Sequence, residues 1–136
     1  MQPRSFLDMA QAMTETDLAG ALLVEDEIFV VLDMEDTLRH HGIRVAASCS
    51  SIAQALEWLE SNRPNLAVID YRLRDGTSEK IAKVLRTRNV PTVVYSANSF
   101  EPPLHEEDFG TFPWVDKPSD AAVLMAAIQA AMGRFV

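Results

Sequence analysis

Cysteine occurs once in the 136 residues, at Cys49, so no intramolecular disulfide can form and a reducing compartment is the default. Long apolar runs are absent as well: none approaches the roughly 20 residues that a bilayer-spanning helix requires. The first residues lack the basic-then-apolar layout of a secretion signal. These absences lead us to expect a cytoplasmic protein with no membrane insertion. Positive charge is scarce, since 12 Lys and Arg against 20 Asp and Glu leave a formal charge of −8. Nucleic acids and anionic membranes select for basic patches, so neither is an expected partner.

Apolar residues make up 48% of the chain and mean hydropathy is near zero, which suits one soluble domain with a genuine core. Short apolar runs recur at Ala21–Val24, Leu66–Ile69 and 92–95. Each is too short for a helix and apolar on both faces, which predicts buried strands of a parallel sheet. Weaker strand signals lie at 44–49 and 111–115.

Helical periodicities alternate with these runs. Ile28, Val31, Met34 and Leu38 share a face after Asp26, which is expected to cap that helix. Ser51 and Gln54 form a capping-box pattern ahead of Ile52, Ala55, Leu56 and Leu59. Ile81, Val84 and Leu85 carry a third helix after Gly76, and Leu124, Ala127, Ile128 and Ala131 carry a last one that starts near Ser119. The β-α alternation predicts an α/β fold, an open parallel sheet with helices on both faces. One repeat is defective. Pro102 and Pro103 forbid a regular helix between strands four and five, so the fourth helix should be short or irregular. Residues 1–19 form an N-terminal extension in which Phe6, Ala10 and Met13 fit either one face of a short helix or a frayed tail.

In open α/β sheets the functional crevice lies at the carboxyl ends of the strands. Here the first strand ends in Glu25-Asp26-Glu27, the third in Asp70, the fourth in Ser96, and the fifth in Asp116-Lys117-Pro118. Glu25, Asp26 and Asp70 should converge, and three carboxylates repel one another strongly at such range. A hard divalent cation resolves the conflict: Mg²⁺ takes oxygen ligands and is commonly held by one or two carboxylates plus phosphate oxygens. A carboxylate beside Mg²⁺ can attack phosphorus, and Lys117 and Ser96 have the chemistry to meet the charge on phosphoryl oxygens.

Four segments carry a resemblance: Leu22-Leu23-Val24-Glu25-Asp26-Glu27, Ala67-Val68-Ile69-Asp70-Tyr71-Arg72-Leu73, Tyr95-Ser96-Ala97 and Asp116-Lys117-Pro118. With them the chain resembles the response-regulator receiver family of two-component systems across about residues 20–133. The resemblance implies a flavodoxin-like, doubly wound five-stranded parallel sheet of strand order 2-1-3-4-5, with residues 20–136 as the receiver domain. It implies that Asp70 is the phospho-acceptor. Asp26 would bind Mg²⁺ directly, Glu25 mainly through water, and the backbone carbonyl of Arg72 would complete the protein ligands. Ser96 and Lys117 would contact the phosphoryl oxygens, Trp114 would be a switch aromatic, and the Lys117–Pro118 peptide would be cis. Arg72 and Asn98 would tune hydrolysis of the acyl phosphate. The implied partners are a histidine kinase or phosphotransfer protein upstream and a protein target downstream.

Departures from the family pattern are informative. The interrupted fourth helix puts the usual dimer surface in doubt and leaves a possible homodimer to other helices, such as the first and fifth. Ser119 replaces a common aromatic, and the loop after Asp70 runs Arg-Leu-Arg-Asp-Gly without its common proline. These traits resemble short, stand-alone receivers with a reduced fourth helix, in which no effector domain is expected.

Ordinary structural roles compete at each position. Asp70 could cap a loop, Glu25 and Asp26 could be helix-dipole charges, and Ser96, Lys117 and Trp114 could serve packing or solvation. Tyr95 and Cys49 suit the core, Trp58 a half-buried surface, and His40, His41 and His105 show no catalytic arrangement. The set taken together favours a phosphoryl-accepting switch over an enzyme with turnover. An aspartyl-phosphatase of the haloacid dehalogenase type needs an Asp-x-Asp pair that Glu25-Asp26-Glu27 does not supply. A flavodoxin-type flavin carrier needs a phosphate-cradling first loop, and this one is acidic. A receiver-like binding module that works without phosphorylation is the remaining alternative.

Overall fold

The computed structural model describes residues 20–97 and 106–133, so the extension at residues 1–19 and Asn98 lie outside the described residues. Five parallel strands form one sheet: β1 (Ala21–Val24), β2 (Val45–Cys49), β3 (Leu66–Ile69), β6 (Thr92–Ser96) and β7 (Trp114–Asp116). Their spatial order is β2-β1-β3-β6-β7, which is 2-1-3-4-5 when only the sheet strands are counted. Two further strands, β4 (Arg72–Leu73) and β5 (Gly76–Thr77), make a small antiparallel ribbon directly after Asp70. That ribbon has no counterpart in the sequence expectations. Its strands are two residues each, too short for any period to register.

The helices are α1 (Ile28–His40), α2 (Ile52–Ser61), α3 (Glu79–Thr87), α4 (Glu106–Phe109) and α5 (Ala121–Gly133). Every residue of β1, β3 and β6 is buried, because helices cover both faces of the central strands. Alternate residues serve opposite cores. Leu23, Val68 and Val93 pack on one side with Met34 and Leu38 of α1 and Ile128 of α5. Leu22, Ile69 and Val94 pack on the other with Leu59 of α2, Leu85 of α3 and Phe109 of α4. Gly20 sets the entry into β1: its φ is +74°, and a Cβ there would lie 2.6 Å from the Arg44 carbonyl oxygen. No helix among the described residues is long and apolar enough to cross a membrane.

Several helix expectations hold and three need correction. Among the described residues helix α4 is one turn, in keeping with the expected short fourth helix, and it is held by Phe109, which is 1% exposed. Ile28, expected on the inner face of α1, is 60% exposed, and burial along the helix begins at Val31. Asp26 does not cap α1. The N-cap is Glu27, without a side-chain cap, and Glu25 Oε2 accepts from the Glu27 N–H at 3.1 Å. The capping box at α2 is displaced: Ser51 Oγ accepts from Gln54 N–H at 3.0 Å, but Gln54 Oε1 accepts from Ser50 N–H rather than from Ser51. A second cap comes from afar. Asp75, at the turn of the ribbon, accepts from the N–H groups of Ile52 and Ala53 at 2.9 and 3.1 Å.

Candidate functional site

Parallel pairing aligns the strand ends, and with them the polar residues that follow. Val24 pairs with both Cys49 and Ile69, and Ser96 pairs with Asp116. The backbone continues the alignment past the strands: Glu25 N–H donates to Cys49, Asp70 N–H to Val24, and Lys117 N–H to Ser96. Glu25, Asp70, Ser96 and Lys117 therefore meet at one crevice at the C-terminal edge, where an open α/β sheet places its site.

The carboxylates of Glu25, Asp26 and Asp70 offer ligand oxygens that all lie within 4.8 Å of one another. Glu25 is 1% exposed and Asp70 7%, while Asp26 is half-buried at the opening. Lys117 reaches between the two buried acids. Its Nζ donates to Asp70 Oδ2 at 2.7 Å and makes a short contact with Glu25 Oε1. On the other side, Asp70 Oδ1 accepts from the Arg72 N–H at 3.3 Å.

These contacts account for the titration of the group. Burial opposes the Lys117 ammonium, but hydrogen bonds to Asp70 and Glu25 and the charges of both acids outweigh it and raise its pKa above the ordinary lysine value. Burial also raises the Glu25 pKa, an effect that Lys117 and the Glu27 N–H only partly offset. The donor set is all oxygen, dense in negative charge and open on the Asp26 side. That combination fits a hard divalent cation of the Mg²⁺ class, with Glu25, Asp26 and Asp70 as the groups able to hold it.

The remaining predicted residues are placed as follows. Ser96 is buried at the end of β6. Arg72 is exposed in the ribbon, with its guanidinium 5.6 Å from the centre of the Tyr71 ring. The Lys117–Pro118 peptide is cis. Trp114 is half-buried in β7, and its ring lies 5.6 Å from Tyr71 and 5.3 Å from Phe109. Tyr71 follows Asp70 directly, so this aromatic group ties the crevice to α4.

Tyr95 does more than fill the core, where its buried ring sits 5.8 Å from Lys117 Nζ. Its hydroxyl accepts from the Ser119 N–H at 3.2 Å and so anchors the loop that carries Lys117. A buried tyrosine at the end of a strand was the available signal, since its hydroxyl needs a partner. Nothing local identifies that partner, 24 residues away.

A doubly wound parallel sheet with an acidic, cation-ready crevice and a lysine bridging two carboxylates defines the class of this molecule. The model of the response regulator receiver domain matches residues 21–129, and the chain belongs to that family. The transcriptional regulatory protein PdtaR of Mycobacterium tuberculosis is 28% identical over 133 residues, which cover 93% of this chain and 64% of PdtaR. The chain thus spans less than two thirds of that relative's length. Among solved structures, SdrG of Sphingomonas melonis is 26% identical with a TM-score of 0.71, over 82% of this chain and 94% of SdrG. The receiver domain of the sensor histidine kinase PA1611 of Pseudomonas aeruginosa is 27% identical with a TM-score of 0.70, over 83% of this chain and 96% of that domain. That structure has a magnesium ion coordinated in its active-site cleft.

Proposed function

We propose that the chain is a phosphoryl-accepting signalling switch in a histidine-to-aspartate phosphorelay, with Asp70 as the acceptor and Mg²⁺ as the cofactor. The observation that carries this reading is the environment of Asp70. It is a nearly buried carboxylate held by Lys117 at 2.7 Å, with two further carboxylates close enough to share a cation. The magnesium ion in the PA1611 receiver domain supports the same choice of metal here.

Glu25, Asp26 and Asp70 would hold the ion, with the backbone carbonyl of Arg72 as a further ligand. When bound, Mg²⁺ supplies charge neutralisation to the carboxylates and to the phosphoryl oxygens. Asp70 attacks the phosphorus of a phosphohistidine on a kinase or phosphotransfer protein. The new O–P bond forms as the N–P bond breaks, and its electron pair returns to the imidazole nitrogen. Lys117 and the Ser96 hydroxyl then meet the negative charge on the phosphoryl oxygens. Arg72 and Asn98, two positions past Asp70 and Ser96 in the sequence, tune hydrolysis, and Trp114 reports the change toward α4. Output passes to a downstream protein by surface contact, in a cytoplasmic setting.

The test is direct. With Mg²⁺ and acetyl phosphate, intact mass should record one added phosphoryl group on the wild-type chain and none on Asp70→Asn. Equal labelling of the two proteins would remove Asp70 from its role.

A further inference from the structure

The ribbon that follows Asp70 carries an arginine at its turn, and both neighbours of that arginine are fixed. Leu73 is buried, and Asp75 is tied to the first turn of α2 by its two hydrogen bonds. Arg74 between them is exposed, and its guanidinium makes no hydrogen bond or ion pair among the described residues. The backbone is thus held while the cation is left uncommitted, which is the arrangement of a pre-organised binding residue.

Arg74 lines a cleft of about 420 Å³ together with Glu25 and Asp26 and the apolar side chains of Ile28, Val31 and Leu32. Glu35 also lines it, but accepts a hydrogen bond from Ser48 Oγ at 2.6 Å. The lining therefore holds three carboxylates and one cation. Because Glu25 and Asp26 offer oxygens within 4.8 Å of Asp70, the cleft opens directly beside the acceptor. Its volume falls in the range of small-molecule sites.

An anionic phosphodonor entering such a cleft meets three negative side chains on a protein of net charge −8. A guanidinium at the opening offsets that repulsion, and its planar fork of N–H donors suits carbonyl and carboxylate oxygens. The apolar wall of Ile28, Val31 and Leu32 suits a short acyl chain.

We propose that Arg74 is the donor-recognition residue of this chain, receiving the acyl oxygens of a small acyl phosphate whose phosphoryl group is presented to Asp70. This rests on the reading of Asp70 as the phospho-acceptor. In the transfer the Asp70 Oδ–P bond forms and the bridging O–P bond breaks. The electron pair stays on the acyl oxygen, which leaves as a carboxylate, and no proton moves.

Labelling rates measured against acetyl phosphate concentration test the assignment, with phosphoramidate as a donor that has no acyl group. In Arg74→Ala the half-saturating acetyl phosphate concentration should rise about fivefold, the effect of losing one exposed charge-assisted contact, with the maximal rate unchanged. Phosphoramidate labelling and beryllofluoride affinity, followed by tryptophan fluorescence, should stay as in wild type, and Arg74→Lys should recover part of the loss. An unchanged half-saturating concentration overturns the proposal. So does an equal shift for acetyl phosphate, phosphoramidate and beryllofluoride, since that assigns the effect to the pocket as a whole. Failure of both donors to label the wild-type chain would instead remove the reading of Asp70, and this inference with it.

Discussion

Lys117 is the residue on which the geometry of the crevice turns. Glu25 and Asp70 are nearly sealed from solvent, and the same ammonium contacts both. Replacing one partner of a buried ion pair leaves the others charged and uncompensated, which costs far more than losing a surface pair. Lys117→Met should therefore lower metal-free stability by about 3 kcal/mol in urea unfolding. Adding Glu25→Gln to that variant should restore part of the loss by removing one of the stranded charges. If Lys117→Met unfolds at the wild-type urea concentration, the pair contributes nothing to the folded state. Asp26 differs from its neighbours in being half-buried at the opening, with no part in the lysine bridge.

At the scale of elements, the ribbon and α2 are locked together by one side chain. The carboxyl of Asp75 is held below its ordinary pKa, first by the Ile52 N–H and then by the Ala53 N–H. Its folded state binds a proton less readily than its unfolded state. The contact therefore stabilises the protein above the unfolded pKa and is lost as pH falls through the lowered folded one. Urea midpoints of wild type and Asp75→Ala should thus differ at neutral pH and converge as the solution is acidified through the carboxylate range. A gap of constant size across that range would assign the cap to something other than the ionised carboxyl. The same ribbon presents Arg74, so the cap that starts α2 also fixes the rim of the cleft. Helix α4 shows the opposite economy: a single turn, kept in place by the packing of Phe109 on Tyr71 and Trp114.

For the molecule as a whole, the folded state brings together acids from two strand ends that the unfolded chain holds apart. A cation that binds only the assembled site stabilises the fold by mass action. At ten times its dissociation constant Mg²⁺ should add about 1.4 kcal/mol, read as a higher thermal midpoint by circular dichroism. Asp26→Asn should fold and lose most of that gain, because Asp26 takes no part in the Lys117 bridge that stabilises the metal-free protein. A gain of wild-type size in Asp26→Asn would mean that the ion binds elsewhere. The net charge of −8 acts in the same direction, drawing divalent cations and opposing anionic donors.

The amino-acid order by itself determined the three buried central strands, the parallel character of the sheet and the membership of the acidic crevice. Strands covered on both faces must be continuously apolar, and parallel strands deliver their following residues to one edge; Glu25, Asp26, Asp70 and Lys117 could be grouped on those two facts. What only the tertiary structure decided is how the groups are paired. Lys117 reaches acids 92 and 47 positions away, and Asp75 caps a helix that starts 23 positions earlier. Periodicity names the inner face of a helix, but it does not say where along the helix burial begins, so Ile28 could not be recognised as exposed. Local sequence acts through the backbone of a few residues, whereas these pairings depend on where distant segments come to rest when both cores have packed.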